Sequence, residues 1–447
     1  MKEHYNYLII GADAAGNSAA GQIRRFDKNG SIAIIEKGSI ISYGACGLPY
    51  FLENIIESTQ KLIHFTAEEY GKRINADIFI EHEALSLNSQ NQTVKIKNNE
   101  NNVIEVKYDK LMIATGAKPV RLPFIDYSSE RVFELKTIPD GQQIKEFIQN
   151  KKPKSVAIIG SGYIGLECAE AFKENGIETH IFEIYDLPMP KMPQKMREDI
   201  RKNMEKNNII FHGGAKINSV ASDEDKILIK TDNDELKFDF LLSSIGIKPN
   251  TDFLLESGLK LENGAVFADS KGETSVKNIY TGGDCSLVYN YLLEKPVYFP
   301  LGHTANKQGR IAGMNMGGQN ADFLGITGTQ LFKFFDKVYA KTGLSQEEAS
   351  QNGYNAIEVS SIRTSKAGYY PNAEKVKMQL VFDKETEIII GASLTGPLDS
   401  YGLIDTASAL IYGKSKISDI AWMDFSYAPP FAPVWNALIS AAGKAKE

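Results

Sequence analysis

The chain has 447 residues, of which 43% are hydrophobic and 24% are charged, values typical of a globular protein with two or three domains. Its net charge of −6 argues against nucleic acid or an anionic membrane surface as the main partner. The three cysteines lie far apart, without the spacing of metal ligands, and neither a secretory signal nor a membrane-spanning apolar stretch is visible. We therefore expect no metal site and a reducing, cytoplasmic location.

The first predicted unit is a strand, a glycine-containing loop, a helix and a second strand, at residues 7–10, 11–16, 18–26 and 32–35. The loop, Gly11-Ala12-Asp13-Ala14-Ala15-Gly16, departs from the dinucleotide-binding pattern G-x-G-x-x-G because Asp13 replaces the second glycine. Glu36, however, is an acid at the end of the second strand, where such units hold a ribose. The unit is therefore predicted to bind a nucleotide despite Asp13.

Cys46 lies in the glycine-containing run between Ser42 and Tyr50 and has no second cysteine nearby. Position 51 is Phe51, so no second thiol can reach Cys46 from the same turn. A lone redox-active thiol stores an oxidising equivalent either on oxygen, as a sulfenic acid, or on the sulfur of a small thiol, as a mixed disulfide. We expect Cys168 and Cys285 to be buried packing residues.

The strand–loop–helix–strand pattern recurs at residues 155–159, 160–165, 167–175 and 178–182. Its loop, Gly160-Ser161-Gly162-Tyr163-Ile164-Gly165, matches G-x-G-x-x-G in full, and Glu183 ends the second strand. The glycines permit close approach of a pyrophosphate to the helix N-terminus. The Glu183 carboxylate would accept hydrogen bonds from both ribose hydroxyls and repel a 2′-phosphate, which favours NADH over NADPH.

Strand 103–111 and the turn Ala114-Thr115-Gly116 are predicted to close the first nucleotide-binding unit. From about residue 326 the pattern changes to strand-rich segments at 376–382 and 387–392, followed by a helix at 403–411. We interpret this tail as a separate α+β domain.

These motifs, together with Ser244 to Asn250 and Thr281-Gly282-Gly283-Asp284, resemble the pyridine-nucleotide-disulfide oxidoreductase family over essentially the whole chain. The resemblance implies an α/β fold with two Rossmann-like nucleotide-binding domains, for FAD and for NADH, and a C-terminal α+β dimerisation domain. The predicted boundaries are 1–118 and 249–324 for the two segments of the FAD domain, 119–248 for the NAD(H) domain and 325–447 for the dimerisation domain.

The resemblance also implies which residues contact the cofactors. The residues expected to bind FAD are Gly11, Ala12, Ala15, Gly16, Glu36, Lys37, Thr115, Gly116, Asp284, Thr304 and Ala305. The residues expected to bind NADH are Gly160, Gly162, Tyr163, Ile164, Gly165, Glu183 and Gly246, with Tyr163 as a gate. NADPH remains a possible alternative coenzyme.

The single-cysteine branch of the family contains coenzyme A-disulfide reductase, NADH oxidase, NADH peroxidase and coenzyme A persulfide or polysulfide reductases. Ala14 stands where the oxidases and peroxidases carry a histidine, so acid–base assistance for peroxide cleavage is lacking. The segment Gln22 to Lys28 is similar to one that binds coenzyme A in the disulfide reductases, which implies substrate contacts from Gln22, Arg25 and Ser42. In contrast, Ala45 stands where that branch often has asparagine.

Two tyrosine motifs, around Tyr369 and Tyr427, are similar to those that reach the partner subunit's active site in a homodimer, with Tyr370 as a competing choice. Cys46, Tyr369 and Tyr427 are therefore the expected catalytic residues, while His303 is a weaker candidate for a base.

The resemblance implies an FAD-dependent NAD(P)H oxidoreductase that reduces coenzyme A disulfide, or a related persulfide or polysulfide. Cys46 would form a mixed disulfide with coenzyme A, and the flavin environment is expected to lower its thiol pKa. Two alternatives stay open: an NADH oxidase with O2 as acceptor, and a redox-sensing flavoprotein that binds a partner protein without catalysis.

Overall fold

The computed structural model describes residues 1–223 and 225–446. The N-terminal part forms β1 His4–Ile10, α1 Ala14–Phe26, β2 Ile32–Ile35, α2 Leu48–Leu52, α3 Ala67–Ile74, β3 Asp77–Phe79, β4 Glu83–Asn88, β5 Thr93–Lys97 and β6 Val103–Ile113. β1 pairs in parallel with β2 and β6, so that Ile9 lies between Ile34 and Met112. Both faces of β2 are buried, as expected for a strand inside a parallel sheet covered on two sides.

The middle of the chain forms a second α/β unit. Its elements are β7 Ala117–Pro119, β8 Val132–Phe133, α4 Ile138–Lys151, β9 Ser155–Ile159, α5 Tyr163–Glu174, β10 Glu178–Phe182, α6 Gln194–Lys206, β11 Ile210–His212, β12 Ile217–Ser222, β13 Ile227–Thr231, β14 Glu235–Phe238, β15 Phe240–Ser243 and β16 Ile247–Pro249. The parallel sheet has the order β11-β10-β9-β15-β8, and β12 to β14 form a separate antiparallel sheet. The chain enters and leaves this unit through the antiparallel pair β7 and β16.

The chain then returns to the first sheet. This part forms β17 Leu261–Glu262, β18 Ala265–Val266, β19 Ile279–Thr281, β20 Val288–Asn290, β21 Lys295–Val297 and α7 Gly302–Met316. β19 pairs in parallel with the end of β6, which extends the parallel order to β3-β2-β1-β6-β19. A Cβ atom on Gly309 would lie 2.2 Å from the Ala15 carbonyl oxygen, so glycine is what allows α7 to pack this closely against α1.

The C-terminal part forms β22 Gln330–Phe334, β23 Lys337–Gly343, α8 Gln346–Gln351, β24 Ala356–Thr364, β25 Lys375–Asp383, β26 Ile389–Pro397, α9 Gly402–Tyr412, α10 Ile417–Ile420 and α11 Ala437–Gly443. Its antiparallel sheet has the order β22-β23-β26-β25-β24. Phe332, Phe334 and Tyr339 of this sheet join the core of the second α/β unit, which fixes the C-terminal domain against it. The predicted fold class is confirmed: two Rossmann-like units and a C-terminal α+β domain.

Three predicted boundaries were wrong for identifiable reasons. α1 and α5 begin directly after the second glycine position of each loop, four residues earlier than expected. Gly16 and Gly165 thus lie inside the helices, where close packing rather than helix propensity selects glycine. β26 starts later than predicted because Glu387 has a left-handed φ of 63° and belongs to the preceding turn. Among the described residues, no helix is long and apolar enough to cross a membrane.

Candidate active site

The two glycine loops have nearly the same packing, although their sequences differ. Gly11 and Gly160 adopt φ values of +104° and +99°, a region that L side chains rarely enter. A Cβ on Gly16 would lie 1.9 Å from the Gly11 carbonyl oxygen, and one on Gly165 would lie 2.2 Å from the Gly160 oxygen. Each loop is therefore closed against its helix as tightly as glycine permits, with the helix N-terminus pointing towards the ligand space.

The acid at the end of each second strand is bonded to its own loop. Oε2 of Glu36 accepts the Ala12 N–H at 2.9 Å, and Oε2 of Glu183 accepts the Ser161 N–H at 3.0 Å and the Ser161 hydroxyl at 2.6 Å. Glu183 is buried. Both carboxylates keep lone pairs that a ribose hydroxyl can use, as the motif requires.

The residues predicted for FAD extend from the first loop to the start of α7, and Thr304 lacks a hydrogen-bond partner among the described residues. The buried Thr304 hydroxyl at the start of α7 has no hydrogen-bond partner among the described residues. Ala305, beside it, is buried, and a Cβ on Gly116 would meet nothing within 4 Å. An unsatisfied buried hydroxyl fits a cofactor that accepts or donates a hydrogen bond there.

Three further residues predicted for FAD have partners within the protein. Asp284, which follows β19, forms an ion pair of 3.1 Å with Lys136 Nζ. The Thr115 hydroxyl donates to the Asn250 carbonyl oxygen at 2.7 Å. The exposed Lys37 forms an ion pair of 2.7 Å with Glu83, which leaves its role in cofactor binding a prediction.

The second loop has open space at the positions expected to contact NADH. A Cβ on Gly162 or on Gly246 would meet nothing within 4 Å. Tyr163 opens α5, packs edge-on against Phe332 with ring centroids 5.3 Å apart, and donates its hydroxyl to Gln330 Oε1 at 2.6 Å. The C-terminal strand β22 therefore holds the side chain that we predicted as a gate.

The backbone segment that carries Cys46 is held by packing against Leu62 and by a hydrogen bond to the first glycine loop. It lies in a short 3₁₀ turn, residues Ala45–Gly47, that leads directly into α2. A Cβ on Gly47 would lie 2.3 Å from a Leu62 methyl carbon, so the turn packs closely against that side chain. Upstream, Ser42 adopts a left-handed φ of 52° and donates its N–H to the Ala12 carbonyl oxygen at 3.0 Å. The segment that carries Cys46 is thus bonded to the first glycine loop.

Position 51 has a structural role. Phe51 is buried in the core between α2, α4 and α5. Lys145 lies 4.1 Å above its ring and donates to its carbonyl oxygen at 2.6 Å. Cys168 and Cys285 are also fully buried, whereas Cys46 is exposed. Among the described residues, Cys46 is therefore the thiol that is accessible from solvent.

The protein around Cys46 opposes its thiolate form, and the expected lowering of the thiol pKa by the flavin environment stays a prediction. Although Cys46 is accessible to solvent, the protein packed around it desolvates the thiol and raises its pKa. The carboxylates of Glu167, Asp284 and Asp13 raise this pKa further, whereas Lys136 lowers it. Burial is the main cause, and the three acids near the sulfur, opposed by one lysine, add to it. Any lowering of this pKa must therefore come from bound ligands.

Glu167 and Lys136 are the two residues near Cys46 that sequence reasoning missed. Burial and the neighbouring Glu170 raise the pKa of Glu167 to about 7, although Lys333 and the nearby Tyr50 hydroxyl oppose this shift. Glu167 follows the second loop by two residues, and this position was the available signal. No local sequence pattern marks Lys136 as a site residue, because its contact with Asp284 joins positions 148 residues apart.

The residues predicted for coenzyme A lie on and beside α1. Arg24 is committed to the fold, since its guanidinium donates to the carbonyl oxygens of Ile74, Asp27, Gly30 and Asn75. Arg25, by contrast, is exposed, and Gln22 lies one turn before it on the same helix. The structure therefore distinguishes a structural arginine from one that is accessible to an anion.

The two tyrosine motifs meet in the C-terminal domain. The hydroxyl oxygens of Tyr369 and Tyr427 lie 3.1 Å apart, although the residues are 58 positions apart in sequence. Tyr369 is 77% exposed, and Trp422 and Phe431 on the same domain are 74% and 82% exposed. His303 is exposed in the first turn of α7, and Ala14 is half-buried in the first turn of α1.

Comparison with known families agrees with this arrangement. Residues 5–309 match the family described as pyridine nucleotide-disulphide oxidoreductase, and residues 329–438 match the dimerisation domain of that family. Together these matches cover most of the chain.

Individual relatives are similar over almost the full length of this chain. An NADH oxidase of Methanocaldococcus jannaschii is 30% identical and covers 97% of each chain. A CoA-dependent NAD(P)H sulfur oxidoreductase of Pyrococcus furiosus is 33% identical over 98% of each chain. The structure of a NAD-dependent persulfide reductase from A. fulgidus superposes with a TM-score of 0.95 at 32% identity, covering 99% of this chain and 83% of that one. The chain therefore belongs to the pyridine nucleotide-disulphide oxidoreductase family and is an NAD(P)H-dependent flavoprotein oxidoreductase.

Proposed function

We propose that the protein uses FAD and NAD(P)H to reduce the disulfide of coenzyme A, or a related persulfide or polysulfide, through Cys46. The observation that carries this proposal is the exposed Cys46 beside the first nucleotide loop, with Phe51 packed in the core where a second thiol would be needed. Because Cys168 and Cys285 are fully buried, Cys46 has no intrachain partner among the described residues. A mixed disulfide with a small thiol is then its natural oxidised state.

In the proposed cycle, the Cys46 thiolate attacks one sulfur of the substrate disulfide, and the other sulfur leaves as a thiolate that takes up a proton. Two electrons originating from NAD(P)H then cleave the bond between Cys46 and the coenzyme A sulfur, which regenerates the Cys46 thiolate and releases the second thiol. Lys136 is the side chain that favours the thiolate, against burial and Glu167. When bound, FAD supplies the relay of electrons between nicotinamide and sulfur.

The residues around the first loop would hold FAD. Gly11 to Gly16 and the N-terminus of α1 suit its pyrophosphate, and Glu36 suits a ribose. The Thr304 hydroxyl, which has no partner among the described residues, and the Asp284 carboxylate would supply polar contacts to it.

NAD(P)H would bind on the second loop, with Glu183 at its adenosine ribose. The Glu183 carboxylate is held by Ser161, so an added 2′-phosphate would meet a fixed negative charge. We therefore propose NADH as the preferred coenzyme.

Coenzyme A would contact Gln22, Arg25 and Ser42. Arg25 offers an exposed cation for a phosphate group, while the bonds of Arg24 to four carbonyl oxygens hold the end of α1 in place.

We propose a homodimer in which the hydrogen-bonded pair Tyr369 and Tyr427 completes the partner subunit's site. The pair lies on the exposed, aromatic surface of a domain that matches the family's dimerisation domain. A tyrosine hydroxyl at the mixed disulfide would protonate or orient the leaving thiolate.

NADH oxidation by O2 is the second candidate, favoured by the name of the Methanocaldococcus relative. That reaction would store oxygen on Cys46 as a sulfenic acid. Ala14 opposes it, because no imidazole is available there for acid–base assistance.

Mass spectrometry of the protein purified without reductant tests the proposal. We expect an adduct with the mass of coenzyme A in disulfide linkage, localised to Cys46 and absent from Cys46→Ser. Cys168→Ser is the matched control, since this buried thiol should leave the adduct unchanged. Oxygen on Cys46, with NADH turnover by O2 that exceeds turnover by coenzyme A disulfide, would establish the second candidate instead.

A further inference from the structure

Asp13 distinguishes the two nucleotide loops from each other. It occupies the second glycine position of the first loop, where the equivalent residue of the second loop is Gly162. A Cβ on Gly162 would meet nothing within 4 Å, so that loop keeps open space where a pyrophosphate approaches. The first loop instead places a carboxyl group at this position.

The Asp13 side chain does not cap the helix that it precedes. Although it is the N-cap residue of α1, its carboxylate makes no capping hydrogen bond. The carboxyl group instead lies near the backbone N–H of Tyr43, in the segment that carries Cys46, and this N–H lowers the pKa of Asp13. Its carboxylate therefore faces the space between the glycine loop and the cysteine segment.

The charged and titratable groups that face Asp13 come from four elements and are mainly acidic. They are Glu36 after β2, Tyr43 and Cys46 in the cysteine segment, Lys136 before α4, and Asp284 after β19. Lys136 is already paired with Asp284, and Glu36 is held by the Ala12 and Gly38 N–H groups. Burial and these carboxylates raise the pKa of Asp13 to about 6, against the opposing effects of Tyr43 N–H and Lys136.

A dianionic pyrophosphate at the N-terminus of α1 would add two like charges to this group. Two acids that share a site cannot both remain ionised without a large energetic cost. We propose that Asp13 takes up one proton from solvent when FAD binds, so that no ionised carboxylate faces the pyrophosphate. This inference rests on the proposed FAD cofactor.

The proposal predicts the direction of a pH effect. The ligand prefers the protonated form of Asp13, so FAD affinity should fall as pH rises above about 6. Each pH unit weakens binding up to about tenfold until the pKa of the complex is reached, because one proton is taken up per FAD. The dissociation constant at pH 8 should therefore exceed that at pH 5.5 by about ten- to a hundredfold.

Two substitutions isolate this carboxyl group. Asp13→Asn mimics the neutral acid, and Asp13→Gly restores the residue of the second loop. Both should bind FAD with nearly constant affinity from pH 5.5 to 8, and tighter than the wild-type protein at pH 8. Asp126→Asn removes an exposed carboxylate in the second unit, so it should keep the wild-type pH dependence.

The experiment is a titration of the flavin-free full-length protein with FAD, followed by quenching of flavin fluorescence. Calorimetry in two buffers of different ionisation enthalpy counts the protons, and we expect about one taken up by the wild-type protein at pH 7.5 and none by Asp13→Asn or Asp13→Gly. Parallel affinity profiles for all variants, or no proton uptake by the wild-type protein, would overturn the inference while leaving FAD as the cofactor. Failure of every variant to bind FAD at any pH would overturn both.

Discussion

Glu183 gives the sharpest test of how the second loop selects its coenzyme. The substitution Glu183→Ala removes a buried carboxylate and leaves two donors, the Ser161 N–H and hydroxyl, without their acceptor. A hydrogen bond to a charged group contributes about 1.5–3 kcal/mol. Losing one such net contact to the ribose corresponds to about a 10- to 150-fold fall in kcat/KM for NADH, since 1.4 kcal/mol is tenfold.

NADPH should respond in the opposite direction. Without the carboxylate, the repulsion of a 2′-phosphate disappears, so kcat/KM for NADPH should stay constant or rise. The ratio of the two values should shift towards NADPH by at least about tenfold, and Glu183→Arg should shift it further because a cation can pair with the phosphate.

Steady-state kinetics with both coenzymes, at saturating coenzyme A disulfide, measures this ratio. The control is Glu178→Ala, which removes an exposed carboxylate at the other end of β10. A thermal melt of each variant separates loss of folding, caused by the unsatisfied Ser161 donors, from loss of binding. An unchanged ratio in correctly folded Glu183→Ala would show that this acid is not at the adenosine ribose.

Four further predictions concern the rest of the site. Cys46→Ser should keep FAD and its reduction by NADH but lose disulfide reduction, and turnover near the wild-type rate would refute the assignment of Cys46. Tyr427→Phe should slow turnover by about ten- to a hundredfold with NADH-driven flavin reduction intact in stopped flow. Mixed dimers of this variant with Cys46→Ser should regain activity, whereas mixed dimers as inactive as their parents would place Tyr427 outside a shared site. Gly165→Ala should disrupt folding of the second unit, because its Cβ would lie 2.2 Å from the Gly160 carbonyl oxygen. Gly162→Ala should fold normally and bind NADH weakly, since a Cβ there meets nothing within 4 Å. Equal melting temperatures of the two variants would contradict this prediction. Glu167→Gln should raise the melting temperature at pH 8 but not at pH 4.5. The reason is that a carboxyl group with its pKa raised to about 7 destabilises the folded protein by up to about 3 kcal/mol as the pH rises from about 4.5 to 7. An equal shift in melting temperature at both pH values would show that ionisation of Glu167 is not responsible.

The nucleotide-binding units could be predicted because their determinants are local. Gly11, Gly16 and Glu36 fall within one strand–loop–helix–strand unit, and the contacts that hold them together form inside that unit. The same holds for Gly160 to Glu183. A motif whose residues meet through short connections can be predicted from the sequence alone, because the close packing at each glycine leaves few other backbone conformations for the loop. That Cys46 has no neighbouring thiol was equally evident from the sequence, because the residue five positions after it is Phe51 and not a second cysteine.

The long-range contacts and the burial of the residues around these motifs depend on the tertiary structure. Lys136 reaches Asp284, Tyr369 reaches Tyr427 and Tyr163 reaches Gln330, over separations of 58 to 167 positions. No periodicity or spacing encodes such contacts, because they arise only when separate sheets and domains pack together. Burial acts in the same way: the raised pKa values of Cys46, Glu167 and Asp13 follow from desolvation by distant segments, which composition and local pattern do not specify.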